Sequence, residues 1–332
     1  MNVLITSASK KVTLVKCFKD AIEKEGGGGK VYAADINPLC PALYAADGHF
    51  LLPPDNDPEF IKTLIKLCKA HKIKLIVPTR DEELPVLAAA RESFCSSGTT
   101  IMVASPETVA LCQDKRLFVN FCLSQGIGIP QIYNISPEGA ALECIRYPAF
   151  AKPRFGKGGA KTMRIDNEDA LRYALKAVPE AIVQEYVRED EYTIDLFADF
   201  SRQVLSVVPR LRIGVFGGES FVGKTVNNPL LISEAARLSE LLGLVGHNTI
   251  QCFLDGGKVK FIEVNPRYGG GASLGIAAGA DTPRHLIKLL NGEKLSPAIG
   301  EFKDGLYMLR YTDEMYHDAS FFGDIAHTKA KK

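Results

Sequence analysis

The chain has 332 residues, too many for one ordinary hydrophobic core and enough for two or three domains. Hydrophobic residues make up 46% and charged residues 24%, and 40 Lys and Arg against 39 Asp and Glu leave a net charge of +1, so no global field favours nucleic acid. No apolar run reaches the roughly 18–20 residues of a membrane-spanning helix, and the N-terminus lacks the basic segment and long apolar core of a signal peptide, so the expectation is a cytoplasmic protein with no membrane partner.

Residues 2–6 have strand composition, Thr6 to Lys11 form a small-residue turn, and 12–24 has helical apolar spacing that Gly26 to Gly29 break. Residues 31–34 are a second strand with Asp35 at its tip. This β-α-β opening suggests a dinucleotide site, but G-x-G-x-x-G is missing from the first turn, which argues against NAD. Asp35 is instead a candidate substrate contact, because ligands sit at the carboxyl ends of parallel strands. A helix over 58–71, a strand over 73–77, a helix to about 93 and a strand over 100–103 continue the alternation, which implies a parallel sheet. Arg80, with Asp81 and Glu82, follows the strand 73–77. It reads either as a substrate contact or as part of a capped helix start, with Thr79 or Asp81 as the cap. The 8 cysteines include no C-x-x-C pair and read as buried reduced thiols.

Ser105-Pro106-Glu107 and Asp114-Lys115 each open a helix, and 126–130 closes the first domain or links it to the next. The pattern then changes towards α+β. A strand over 149–153 carries Lys152. Residues 154–161 form a basic loop containing Gly156, Gly158 and Gly159, and 161–165 is a strand. Such a hairpin can fold over phosphates, offering free N–H groups and lysines. It is not a P-loop, because G-K-[ST] leading into a helix is absent. A helix over 167–178, strands over 181–187, 191–198 and 204–209, and a helix over 230–243 follow. Leu231, Ala235, Leu238, Leu241 and Leu242 make that last helix's apolar stripe, and Gly243 ends it.

Strands 250–254 and 259–265 form a hairpin around Asp255-Gly256-Gly257-Lys258, and the second strand runs into Phe261-Ile262-Glu263-Val264-Asn265-Pro266-Arg267-Tyr268-Gly269-Gly270-Gly271. Glu263 and Asn265, two apart on a strand, share a face and present hard oxygens suited to Mg²⁺. Pro266 ends the ladder, Arg267 offers a cationic fork for phosphate or carboxylate, and the three glycines allow backbone to approach an anion. Gln251 joins Glu263 only if the loop has three residues, 256–258. A two-residue loop at Gly256-Gly257 would set Gln251 against Ile262. A helix over 282–291 follows. Residues 305–311 have strand character, and the end of the chain reads as frayed.

These motifs, in order, resemble the ATP-grasp superfamily, and most closely its carbamoyl-phosphate-synthetase-like branch, over residues 1–290. The resemblance implies an N-terminal Rossmann-like pre-ATP-grasp domain (1–112), an ATP-grasp domain of two α+β subdomains (113–188, with the phosphate-covering hairpin, and 189–300, with the metal site) and an extension (301–332). It implies that Lys115 and Lys152 reach the α and β phosphates under Gly156, Gly158 and Gly159. Gln184-Glu185-Tyr186-Val187 would be the adenine hinge, with backbone of Glu185 and Val187 pairing with the adenine edge, and Glu191 would bind ribose. Gln251, Glu263 and Asn265 would hold Mg²⁺, with Mn²⁺ as an alternative, and Arg267 would stabilise the transferring γ-phosphoryl group. The implied catalytic residues are Arg267, Lys152 and Asn265. Asp35, Arg80, Arg154, Arg212, Lys224, Gly269 and Gly270 are the substrate-side candidates. Arg210 reads equally as a basic acceptor residue or as a solvated surface cation.

The implied reaction is phosphorylation of a carboxylate or bicarbonate by ATP, followed by attack of an amine or ammonia on the acyl phosphate. The large subunit of carbamoyl-phosphate synthetase carries two such units in tandem, whereas this chain shows one and no internal repeat. A stand-alone carboxylate–amine ligase is therefore favoured over a half enzyme needing a partner subunit and over a non-catalytic nucleotide-binding module. A homodimer is left open.

Overall fold

The computed structural model describes residues 1–135, 145–156, 158–178 and 180–318; Cys144, Lys157 and the C-terminal end named above lie outside them. The chain divides into two compact units. The first holds Met1–Ser105, Asp281–Ser296 and the chain from Leu309 onward, and the second holds Pro106–Ala280 and Pro297–Met308. The boundaries expected at 112 and 300 are thus displaced. Cys112, from the helix Pro106–Gln113, sits in the same apolar cluster as Phe118 and Leu238, so this helix belongs with the second unit. The helix Thr282–Leu290 packs on the helix Val12–Lys24, where Arg284 binds Glu25 and Lys24 lies 3.5 Å from Asp281, so it returns to the first unit.

In the first unit β1 (Asn2–Thr6), β2 (Val31–Asp35), β3 (Gly48–Leu51), β4 (Ile73–Pro78) and β5 (Thr100–Ile101) form a parallel sheet of order β3-β2-β1-β4-β5. Val3, Leu4 and Ile5 are wholly buried, as a central parallel strand requires. The short β3 escapes the sequence pattern because four residues carry too little alternation to stand out. Asp35 accepts from the Ser9 N–H (2.9 Å) and the Asn37 N–H (3.0 Å), tying the end of β2 to the turn after β1. Arg80 pairs with Asp55 and lies 3.5 Å from Glu82. The helical start after β4 is capped by neither Thr79 nor Asp81. The Glu83 carboxylate instead accepts from the Thr79 N–H (2.9 Å) and the Arg80 N–H (3.1 Å).

In the second unit β6 (Ile132–Tyr133), β7 (Ala149–Lys152), β8 (Met163–Ile165) and β9 (Ile182–Glu185) form an antiparallel sheet of order β6-β9-β7-β8. Leu171 and Ala174 of the helix Glu168–Ala177 pack on it against Ala149, Ala151 and Val183. A larger sheet contains β10 (Glu191–Ala198), β11 (Val204–Phe216), β12 (Glu219–Thr225), β13 (Gly246–Asp255), β14 (Lys258–Asn265) and β15 (Tyr307–Leu309), in the order β14-β13-β10-β11-β12-β15. The helices Lys115–Ser124 and Pro229–Leu242 bury Phe118, Cys122, Leu231 and Leu238 against Ile194, Val207, Ile250 and Phe261. Pro229–Leu242 starts where the Asn228 side chain accepts from the N–H groups of Leu230 and Leu231, and it stops at Gly243 with φ +64°. Of the described cysteines, Cys40, Cys68, Cys112, Cys122 and Cys252 are buried, Cys17 is half-buried and Cys95 is exposed, which corrects the expectation for Cys95.

Candidate functional site

The β13–β14 hairpin settles the register question. Asp255 pairs with Lys258, so the turn is the two residues Gly256 and Gly257, with φ +55° and +74°. That register holds as far as Cys252 opposite Phe261. The pairing then shifts, and Gln251 stands opposite Glu263. Ile262 is the extra residue of a β-bulge. The three-residue loop expected as the condition for Gln251 is absent, and the bulge gives the same juxtaposition.

Gln251 and Glu263 line a cavity of about 560 Å³ within the second unit, together with Lys115, Lys152, Gly156, Gly158, Gly159, Glu185, Tyr186, Val187, Glu191 and Arg212. Lys152, at the end of β7, is 4% exposed, and its ammonium lies 3.5 Å from the Ile262 carbonyl. Burial pulls its pKa down to about 8, the Glu263 carboxylate works against that, and Lys115 adds to it. Lys115, the first residue of its helix, donates to the Gly156 carbonyl (2.6 Å) and lies 3.9 Å from Glu263. Two lysines and one carboxylate therefore meet under a loop whose Gly156, Gly158 and Gly159 all have positive φ. Across the loop, a Cβ on Gly218 at the β11–β12 turn would lie 2.7 Å from the Gly158 Cα, so the two turns touch.

Within the cavity Gln251 donates to Glu191 (2.7 Å), and Arg212 lies 3.3 Å from the same carboxylate. Arg212 also donates to the Thr193 hydroxyl and the Gly218 carbonyl. Glu185 accepts from the Gln131 N–H (2.8 Å) and from Lys260 (2.6 Å), and Lys260 reaches Asp255 as well (2.7 Å). Lys260 thereby ties β9 to the β13–β14 hairpin, a link the sequence reading missed.

Asn265 and Arg267 do not line the cavity but continue from it. The Asn265 amide donates to Glu263 (3.1 Å) and accepts from Arg267 (3.2 Å). Gln251 stands opposite Glu263 in the ladder and the Asn265 amide touches Glu263, so one carboxylate and two amides occupy neighbouring positions, and among the described residues no group of three His, Cys, Asp or Glu could hold a metal. This donor set suits a hard cation that keeps phosphate and water ligands, and not a metal held entirely by protein.

Other basic candidates sit elsewhere. Arg154 chelates Asp114 through Nε and Nη2 (2.6–3.0 Å) and reaches Glu180 (2.9 Å), and Asp114 caps the helix Lys115–Ser124. Arg154 thus braces the helix that carries Lys115. Lys224 lies over the Tyr307 ring at 5.6 Å. Arg210 is no solvated cation. It is 1% exposed and forms two bonds to Asp195 (2.7 and 2.8 Å), with His247 3.6 Å from Asp195 and stacked on Tyr268 at 4.0 Å. The glycines after Arg267 also have a different reason from the one expected. A Cβ on Gly269, Gly270 or Gly271 would lie 2.6–2.7 Å from Thr249, Glu219 or Arg210, so they make room for protein side chains. Asp35 and Arg80 belong to the first unit.

Two families match in succession. One is described as "PylC-like, N-terminal domain" (residues 3–102), and the other as "ATP-grasp in the biosynthetic pathway with Ter operon" (residues 177–313). Residues 177–313 thus match an ATP-grasp family.

Solved structures of similar fold include a biotin carboxylase from Campylobacter jejuni (TM-score 0.71, 16% identity, covering 92% of this chain and 74% of that one) and an L-amino acid ligase from Bacillus licheniformis (TM-score 0.69, 20% identity, covering 91% and 77%). At these identities they establish the fold alone. In sequence, this chain is 25% identical over 193 residues to the arginine-specific carbamoyl phosphate synthase large chain of Bacillus subtilis (strain 168), over 54% of its own length. The match spans 19% of that relative.

Proposed function

We propose that this chain is an ADP-forming ligase that uses ATP to activate a carboxylate as an acyl phosphate and passes the acyl group to an amine or ammonia. The observation that carries the reading is the meeting of Lys115, Lys152 and Glu263 beneath the glycine loop. Lys152 is held charged at a desolvation cost that an anionic phosphate would offset. Lys115 exchanges its Gly156 carbonyl for phosphate oxygen. Backbone of Glu185 to Val187 meets the base, and Glu191 accepts from ribose hydroxyls. Glu263, Asn265 and Gln251 would hold Mg²⁺, or Mn²⁺, which when bound neutralises the phosphates and makes the γ-phosphorus a better electrophile. Arg267, fixed by Asn265, holds its guanidinium for the charge of the transferring phosphoryl group. No covalent nucleophile on the protein is needed, because the chain's task is to position reactants and neutralise charge.

Arg212 and Lys224 remain our candidates for the acceptor side, and the substrates are small molecules in this reading. The likeness to a carbamoyl phosphate synthase chain supports a second reading, in which bicarbonate is phosphorylated with a partner subunit. Among the described residues no helix is long and apolar enough to cross a membrane. The test is ADP release from Mg-ATP with a panel of carboxylates, amino acids and bicarbonate, with hydroxylamine present to trap an acyl phosphate. Hydroxamate formed with one carboxylate supports the ligase. Activation by bicarbonate alone supports the second reading. ATP binding without stimulation by any acid would reduce the chain to a nucleotide-binding module.

A further inference from the structure

A cluster of buried polar side chains lies outside the cavity and has no place in that account. Asp195 on β10, Arg210 on β11 and His247 on β13 are all buried, and none of them lines the cavity. Arg210 gives Nε and Nη2 to Asp195, and its buried Nη1 has no hydrogen-bond partner among the described residues. A buried ion pair is often no more stabilising than apolar residues of the same volume. Its place in the fold points to what it holds.

The sheet sets it beside the proposed metal side chains. Residues directly opposite each other in a ladder share a face. Asn265 stands opposite Thr249, and Thr249 opposite Asp195, so these three form one row across β14, β13 and β10. Glu263, Gln251, Thr193 and Arg210 form the next row. His247, two residues before Thr249 on β13, takes the same face.

The segment that carries Arg267 is seated on these residues. The Thr249 hydroxyl donates to the Arg267 carbonyl (3.1 Å). The next residue, Tyr268, is wholly buried, and its ring lies on the His247 ring with centroids 4.0 Å apart and planes 9° from parallel. Further on, a Cβ on Gly271 would lie 2.6 Å from Arg210 Nη1, and one on Gly275 would lie 2.8 Å from Asp195 Oδ2. His247 is itself 3.6 Å from Asp195, which Arg210 holds. Contact therefore runs from Arg210 through Asp195 and His247 to Tyr268, the neighbour of Arg267 in the chain. A group that meets a reacting centre has to be held within about 0.5 Å of its productive place by packed neighbours. A ring stacked flat on a fixed ring supplies such a seat.

We propose that His247 is a positioning residue: clamped by Asp195 and Arg210, it seats Tyr268 and so sets where Arg267 stands for phosphoryl transfer. The inference rests on the reading of Arg267 as the cation that meets the transferring phosphoryl group, and adds the device that places it.

The experiment is a mutant cycle read by ADP release from Mg-ATP with the same panel of acids and hydroxylamine, for the wild type, His247→Leu, Arg267→Met and the double variant. His247→Leu is expected to lower kcat about tenfold to a hundredfold and to leave the KM for ATP within about twofold. In the Arg267→Met background the same substitution should lower kcat no further, because a residue that acts through Arg267 has nothing left to place. His247→Phe, which keeps the ring, should recover most of the lost kcat. A His247→Leu variant with wild-type kcat, or one that loses the same factor with and without Arg267, overturns the proposal while the reading of Arg267 stands. So does a His247→Phe variant as impaired as His247→Leu. An Arg267→Met variant with wild-type kcat overturns the reading of Arg267 and the proposal with it, and so does a wild type that no acid stimulates. If His247→Leu fails to fold, His247→Asn, which also lacks the stacked ring but keeps a polar group beside Asp195, takes its place in the cycle.

Discussion

Gln251 stands directly opposite Glu263 in the β13–β14 ladder, although the turn between the strands has two residues and would by itself set Gln251 against Ile262. The bulge at Ile262 corrects the register, and the Ile262 carbonyl faces Lys152 at 3.5 Å. One irregular residue thus brings an amide beside a carboxylate and offers the buried lysine an acceptor. We expect Gln251→Met to raise the Mg²⁺ concentration for half-maximal turnover several-fold, and Glu263→Gln to abolish Mg²⁺-dependent turnover. Magnesium titrations of ADP release check both, and an unchanged Mg²⁺ requirement in Gln251→Met would remove Gln251 from the metal set.

Lys152 should show an opposition between stability and binding. Its folded pKa, about 8, is below the usual lysine value of 10.5, so the unfolded chain binds more protons between these values and stability rises with pH across that window. The burial costs at most about 3 kcal/mol at neutral pH. Lys152→Met is therefore expected to raise the melting temperature of the nucleotide-free protein and to abolish measurable Mg-ATP binding. In the wild type, phosphate raises the lysine pKa again. ATP affinity should then be full below about pH 8 and decline above it, which calorimetry in buffers of differing ionisation heat would show as proton uptake.

Gly271 leaves no room for a methyl group. A Cβ there would lie 2.6 Å from Arg210 Nη1, and Arg210 is pinned by its bonds to Asp195. Gly271→Ala should cost about 1–3 kcal/mol of stability. Displacement of the segment that follows Arg267 should lower kcat and leave the KM for ATP little changed. Urea denaturation and steady-state kinetics would measure the two effects.

The buried Arg210–Asp195 pair predicts a mutant cycle. Arg210→Met strands a buried carboxylate and should cost about 3–5 kcal/mol, whereas Arg210→Met with Asp195→Asn should recover part of that loss. Burial alone would push the Asp195 carboxyl up, but Arg210 and His247 hold it below the usual range. Its stabilising contribution is therefore complete above about pH 4 and lost as pH falls through the depressed value. Urea denaturation at a series of pH values would follow both.

The parallel sheet of the first unit was legible because its strands are short apolar runs separated by helical spacing, and the strand 2–6, helix 12–24 and strand 191–198 lie where the pattern sets them. β12 was missed because Gly223 and Lys224 interrupt its apolar alternation, and the helix Ala272–Ala277 because its small residues show no stripe. Lys115, Lys152 and Glu263 could be picked out because each sits in a local motif, and they meet in one cavity. The partners of Arg154 and Arg210 could not, since Glu180 and Asp195 are fixed by tertiary pairing that no local spacing records.

The claim at the centre is that a carboxylate oxygen is phosphorylated before the new bond forms. The most direct measurement supplies the activating carboxylate labelled with heavy oxygen, together with the amine and Mg-ATP, and reads the inorganic phosphate by mass spectrometry. The account predicts one labelled oxygen in each phosphate released with product. Unlabelled phosphate accompanying product would show that ATP is cleaved by water or at another centre, and would contradict it.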